Sequence, residues 1–222
     1  MATWVTHFRI AEAFIKRQLP VSRIDFLVGN IGPDCGLMGE DGVPSPPKEI
    51  THWMNGKEIG AEAFCREYLQ DSLELSDPKT SYYLGYYFHL VTDQEWTKLV
   101  KVKEKESVYQ DIINKPEFVR LVKRDWYGLD FLHLQKHKDS IFWTDFQQIQ
   151  DFPEYMSYFP PGQTLTQIRN ITNFYHQEHN LDNHSFIYLT SDETDKFVEH
   201  TVRLLEERVS QRWNVSAEES EV

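Results

Sequence analysis

The stretch Tyr82-Tyr83-Leu84-Gly85-Tyr86-Tyr87-Phe88-His89-Leu90-Val91-Thr92-Asp93 decides how the rest of the chain is read. It reads as a buried helix that nevertheless carries an imidazole and a carboxylate. His89 and Asp93 are four residues apart, so they share one helix face. The rest of that face is aromatic and aliphatic. Polar groups in such a place are costly unless something pairs with them. A metal ion pairs with both.

On either side of this stretch helical periodicity dominates and strand signals are scarce. The spacing predicts helices over residues 5–18, 57–73, 79–98, 116–137, 163–179 and 191–213. The first stops near Leu19-Pro20. A short apolar piece follows at 24–28, then a Gly- and Pro-rich loop over 29–49 containing Gly32-Pro33-Asp34 and Pro44-Ser45-Pro46-Pro47. Thr190-x-x-Glu193 forms a capping box before the last helix, whose apolar stripe is Phe197, Val198, Val202, Leu205 and Val209. Segment 138–162 is aromatic but irregular and is expected to lie as a loop over the core. The expectation is an all-α fold: one multi-helix domain over residues 1–213 and an acidic flexible tail over 214–222.

Composition narrows the function. Apolar residues make up 40% of the 222 positions, enough for a substantial core, and the formal net charge is −12. That balance argues against nucleic acid or an anionic membrane surface as partner, since both need clustered Lys and Arg. Bound divalent cations would offset part of the charge. Cys35 and Cys65 form no Cys-x-x-Cys pair, which suggests a reducing compartment. No basic segment followed by an apolar run is visible, and no run approaches membrane-spanning length. A cytoplasmic protein without membrane insertion is expected.

Five residues stand in contexts that suit metal ligation. His7 lies in the first turns of the first helix, Asp34 in the Gly-Pro loop, His52 in Ile50-Thr51-His52-Trp53, and His89 and Asp93 on the buried helix. Each alone has an ordinary explanation: a satisfied core histidine for His7, a turn cap for Asp34, packing for His52, a helix hydrogen bond for the last two. Together they make a mixed nitrogen and oxygen set that suits zinc, iron, manganese or nickel. A carboxylate shared between two ions would make a two-metal site.

His133, His137, His176, His179, His184 and His200 are assigned mostly to the surface. Asp125 and Asp130, among aromatic residues, read equally as structural hydrogen-bond acceptors or as a late ligand or support for the ligands. The chain has no His-Glu-x-x-His, no Gly-x-Ser-x-Gly and no phosphate loop ending in Gly-Lys-Ser/Thr, so the corresponding enzyme classes are set aside. It also lacks an adjacent His-Asp doublet.

Taken in order, Thr6-His7-Phe8-Arg9-Ile10-Ala11, Phe26-Leu27-Val28-Gly29-Asn30-Ile31-Gly32-Pro33-Asp34, His52-Trp53 and Leu84 to Asp93 resemble the zinc-dependent phospholipase C family of bacteria. The resemblance covers roughly residues 4–98. It implies an all-α fold, one or two zinc ions and hydrolysis of phosphate esters. Asp34, His52, His89 and Asp93 would hold one zinc, and Asp93 would bridge to a second held also by His7. The family's secreted members use a processed amino-terminal tryptophan as a ligand, whereas Trp4 here lies inside the chain. Their extra histidine after the helix motif is missing from residues 94–104. Their later His-x-x-x-Glu is missing too: Asn180 follows His176 and Asn183 follows His179 at that distance. A third ion is not expected.

The function expected is a metal-dependent phosphoesterase acting on a small phosphate ester through a metal-bound hydroxide at a mono- or dinuclear site. Asp34 is the catalytic candidate, as a ligand or as the group that orients the water. The alternative is a non-catalytic helical binding protein that retains a metal site.

Overall fold

The computed structural model describes residues 1–39, 42–70, 74–181 and 184–213; the expected tail over 214–222 lies outside them. Ten α-helices stand among the described residues. In chain order they are α1 (Trp4–Lys16), α2 (Arg23–Gly29), α3 (Lys48–Thr51), α4 (Ala61–Tyr68), α5 (Pro78–Lys103), α6 (Ser107–Gln110), α7 (Phe118–Lys136), α8 (Ile141–Thr144), α9 (Gln163–Tyr175) and α10 (Ser191–Trp213). The all-α expectation holds. The only strands among the described residues are β1 (Leu37–Met38) and β2 (Pro44–Ser45), a two-residue antiparallel ladder pairing Leu37 with Ser45 and Met38 with Pro44.

The fold is organised around α5. Asp77 caps its start by accepting the Thr80 N–H at 2.9 Å, and Pro78 occupies the first turn, where no N–H is needed. Every residue from Ser81 to Asp93 is buried. A helix apolar all round is stable only when neighbours surround it. Here α1, α2, α4 and α10 pack against it.

The tightest of these contacts is with α2. A Cβ added to Gly85 would lie 2.2 Å from the Phe26 carbonyl oxygen, and one added to Gly29 would lie 2.1 Å from that of Tyr82. The two helices therefore meet backbone to backbone, which only glycine permits. This crossing delivers the end of α2 to the face of α5 that carries His89.

Several sequence boundaries need correction. The apolar piece at 24–28 is helical, as α2. The helix expected over 57–73 runs only from Ala61 to Tyr68, and residues 71–73 of that range lie outside the described ones. Before it the chain makes a tight turn, with Asn55 bridged to Glu58 and Trp53 at φ 52°. The buried helix runs on to Lys103, and the helix expected to reach residue 179 ends at Tyr175. The loop expected over 29–49 holds a 3₁₀ turn (Gly32–Asp34), the small ladder and the start of α3. Segment 138–162 packs over the core as expected, interrupted by α8 and a 3₁₀ turn at Phe146–Gln148.

The capping box forms: Glu193 accepts the Thr190 N–H at 2.8 Å, and Thr190 Oγ1 accepts the Glu193 N–H at 3.3 Å. The whole predicted stripe of α10 is buried. Both cysteines are free and buried. Among the described residues no helix is long and apolar enough to cross a membrane.

Candidate metal centre

Three pieces of chain meet the middle of α5. α1 brings His7, the 3₁₀ turn brings Asp34, the residue after α3 is His52, and α5 itself carries His89 and Asp93. All five predicted ligands converge. Three-residue groups with ligand atoms within 4.8 Å of one another form twice: His7 with His89 and Asp93, and Asp34 with His52 and His89. The groups overlap at His89. The two Asp93 oxygens face different partners. Oδ1 lies 3.6 Å from His7 Nε2, while Oδ2 lies 3.4 Å from both His52 Nε2 and His89 Nε2. Asp34 Oδ1 is 3.7 Å from His52 Nε2.

These separations do not make hydrogen bonds. His7 Nδ1 and Nε2, His52 Nε2, His89 Nε2 and Asp93 Oδ2 are all buried and without a hydrogen-bond partner. A buried polar atom left in this way costs about 1–3 kcal/mol, and five in one cluster need a common cause. A cation among them supplies it: a neutral imidazole keeps a lone pair on one ring nitrogen, so His7, His52, His89 and the Asp93 carboxylate each have one atom to turn toward a common ion. The residues therefore fit a metal ion.

Groups behind the ligands aim them. The His89 Nδ1 lies 2.8 Å from the Asn30 carbonyl oxygen, which can only accept, so Nδ1 carries the proton and Nε2 keeps its lone pair for the cluster. Asn30 directly follows α2, so the Gly29–Gly85 crossing sets this bond. His52 Nδ1 pairs with Thr51 Oγ1 at 3.0 Å. Three hydrogen bonds come from successive residues of the amino-terminal segment. Ala2 N–H donates to Asp93 Oδ1 at 2.7 Å, Thr3 Oγ1 to Asp130 Oδ1 at 2.7 Å, and Trp4 Nε1 to Asp34 Oδ2 at 3.0 Å. Trp4 is therefore held against the candidate ligand Asp34 through its indole N–H.

Electrostatics follow from crowding. Burial opposes charge on Asp93, yet the imidazoles, His89 foremost, hold its carboxyl well below the usual range. Burial also opposes a charged His89, but the Asp93 charge outweighs it and raises that pKa. His7 lies stacked on His89, ring centroids 3.8 Å apart, and burial with its charged neighbour pulls His7 down to about 4. A neutral imidazole and an ionised carboxylate are the forms that ligate metal.

The cluster is closed on most sides. His7, His52, His89 and Asp93 are at most 1% exposed, while the Asp34 side chain is 12% exposed. Asp34 lines a cleft of about 810 Å³ that opens to solvent. Gln167 Nε2 donates to the Asp34 carbonyl at 3.0 Å and fixes the turn from the α9 side.

Among the remaining histidines, His137, His176 and His200 are exposed, as expected. His133, His179 and His184 are half-buried instead. His179 stacks on Phe131 at 4.3 Å, and His184 Nε2 bonds Asp125 at 2.9 Å. Asp125 is a hydrogen-bond acceptor, also taking the N–H groups of Ile187 and Tyr188 at 2.7 and 2.8 Å. It is no part of the cluster. Asp130 accepts from Thr3 and Tyr175 and supports the amino-terminal segment. The supporting roles of Ala2, Thr3 and Asn30 had no sequence signal, since two of these residues act through backbone groups.

Comparison of the chain with protein-family models, with curated proteins and with solved structures finds no match.

Proposed function

We propose that the chain is a metal-dependent phosphoric ester hydrolase built like the zinc-dependent phospholipase C family, with one or two zinc ions held by His7, Asp34, His52, His89 and Asp93. The observation that carries this reading is the convergence of the five residues the resemblance names, four of which, His7, His52, His89 and Asp93, hold buried polar atoms without a hydrogen-bond partner. When bound, a divalent ion supplies Lewis acidity, polarising a phosphoryl oxygen and activating water at neutral pH. The protein's share is positional. Asn30 fixes the His89 tautomer, Ala2 and Trp4 steady the two carboxylates, and the packed core around α5 keeps bulk water from four of the five ligands. Asp34 stands where the cluster meets the cleft, so it is the residue to hold an ion or orient a water against substrate.

A second reading has its own observation. Structural metal sites are closed by protein ligands, and this cluster is almost closed. In that case the ion would stabilise a non-catalytic binding protein.

Metal analysis with turnover of an activated phosphodiester separates the two. The proposal expects bound zinc and hydrolysis that stops on chelation and in His89→Ala. Bound metal with no turnover of mono- or diesters would favour the structural reading. Turnover that survives both chelation and His89→Ala would overturn the hydrolase mechanism.

A further inference from the structure

The cleft beside Asp34 differs in character from the cluster and from the protein as a whole. One wall is aromatic: Trp4, Trp126 and Tyr127 are each half-buried, with the Trp4 and Tyr127 rings 6.4 Å apart. The lining also carries the side-chain amides of Gln167 and Asn170: Asn170 Nδ2 donates to Gln167 Oε1 at 3.3 Å, and Gln167 Nε2 donates to the Asp34 carbonyl at 3.0 Å. Lys48 and Lys123 stand at its lining, both exposed. Among the described residues neither lysine pairs with a carboxylate; the Lys48 ammonium lies 3.2 Å from the Met1 sulfur. Among the described residues the only acid in the lining is Asp34. In a chain of net charge −12, the described lining of the cleft beside the cluster thus carries two lysines against one acid.

Each element selects a different part of a ligand. Two unneutralised ammonium groups attract an anion, and lysine binds phosphate as a point charge. Flat rings favour a flat ring, through stacking that any aromatic base can offer. The exposed Asn170 amide has further hydrogen-bonding groups to offer to ring nitrogens or exocyclic groups, which an alkyl chain would not use. The cleft's size is that of a small-molecule site.

We propose that this cleft binds phosphate esters of an aromatic heterocycle-bearing group, the class of the nucleoside monophosphates, with the phosphate at the Lys48, Lys123 and Asp34 end and the ring against Trp126 and Tyr127. The inference rests on the phosphoesterase reading for what becomes of the ester, but the binding preference stands on the cleft alone.

The test is calorimetric titration of the full chain with adenosine monophosphate, glycerol 3-phosphate, inorganic phosphate and a short-chain phosphatidylcholine below its micelle concentration. It is run on zinc-loaded and on chelated protein, with metal content measured on the same samples. Adenosine monophosphate should bind about tenfold or more tightly than glycerol 3-phosphate, as one stacked base supplies. That ratio should persist after chelation even if all affinities fall. Lys123→Ala, at an exposed site that leaves folding alone, should weaken adenosine monophosphate and inorganic phosphate alike. Trp126→Leu should weaken adenosine monophosphate and leave inorganic phosphate unchanged; a melting curve checks that it folds. Equal affinity for adenosine monophosphate and glycerol 3-phosphate on the unmodified protein would overturn the proposal, as would tighter binding of the phosphatidylcholine. Protein that takes up no zinc would sink the hydrolase reading while leaving this preference to be judged on the chelated samples.

Discussion

Asp93 and Asp130 are both carboxylates sunk in the helical core, 0% and 4% exposed, and their surroundings treat them in opposite ways. Around Asp130 stand hydroxyl groups. Thr3 and Tyr175 donate to it, and burial pushes its pKa up to about 7 despite those bonds. Around Asp93 stand three imidazoles at 3.4–3.6 Å that make no hydrogen bond to it, and their attraction for its charge, that of His89 foremost, outweighs burial and holds its carboxyl well below the usual range. Asp125 makes a third case, fully buried yet satisfied by two backbone N–H groups and His184. Burial alone therefore says little about function. What separates a ligand from a structural acid is whether the neighbours are donors, which complete it, or further acceptors, which leave the set waiting for a cation.

The largest expected effect lies on the structural side. Asp125→Ala strips three donors of their acceptor and should cost about 4–5 kcal/mol in denaturant unfolding, with metal content per folded chain unchanged. Loss of metal in that variant would erase the distinction between the two kinds of acid.

Asp130 should next show itself through pH. Its folded pKa, about 7, is above the ordinary 3.8, so the folded state keeps a proton that the unfolded chain releases. Stability should fall as pH rises from about 4 to about 7, by up to about 4 kcal/mol. In chelated protein Asp130→Asn should flatten that slope, as read by unfolding at stepped pH. An unchanged slope would mean that Thr3 and Tyr175 satisfy the carboxylate outright.

Asp93→Asn should lower metal affinity about 100-fold or more, a larger loss than an outer-sphere change causes. His7→Ala should lose less, because it faces Oδ1 alone, and Asp130→Asn should keep its metal. Competition with a chromophoric chelator measures all three. Equal affinity in Asp93→Asn and the unmodified protein would remove Asp93 from the ligand set.

The smallest effect sharpens the boundary between ligand and support. Trp4→Phe keeps an aromatic side chain at this place but removes the N–H that holds Asp34 Oδ2, along with part of the ring system. It should weaken metal binding about tenfold, with little change in stability. A change as large as that of Asp93→Asn would show that the indole does more than steady Asp34.

The chain by itself determined the helical architecture and all five candidate ligands. Period and caps mark helices locally, and a His and an Asp four apart on an aromatic face stand out without any neighbour in view. The Thr190–Glu193 box was legible for the same reason, since its bonds span three residues. Only the tertiary structure decided the rest. The helical state of residues 24–28 depends on packing against α5, where Gly29 and Gly85 let the backbones touch, and so short a piece has no propensity sufficient to declare itself. The hydrogen bonds of Ala2 and Asn30 to the ligands run through backbone atoms, which every residue type possesses. The roles of Asp93, Asp125 and Asp130 diverged for a related reason: in sequence each is an acid among aromatics, and which groups end up within 3 Å of it is fixed by chain segments as far as 127 residues away.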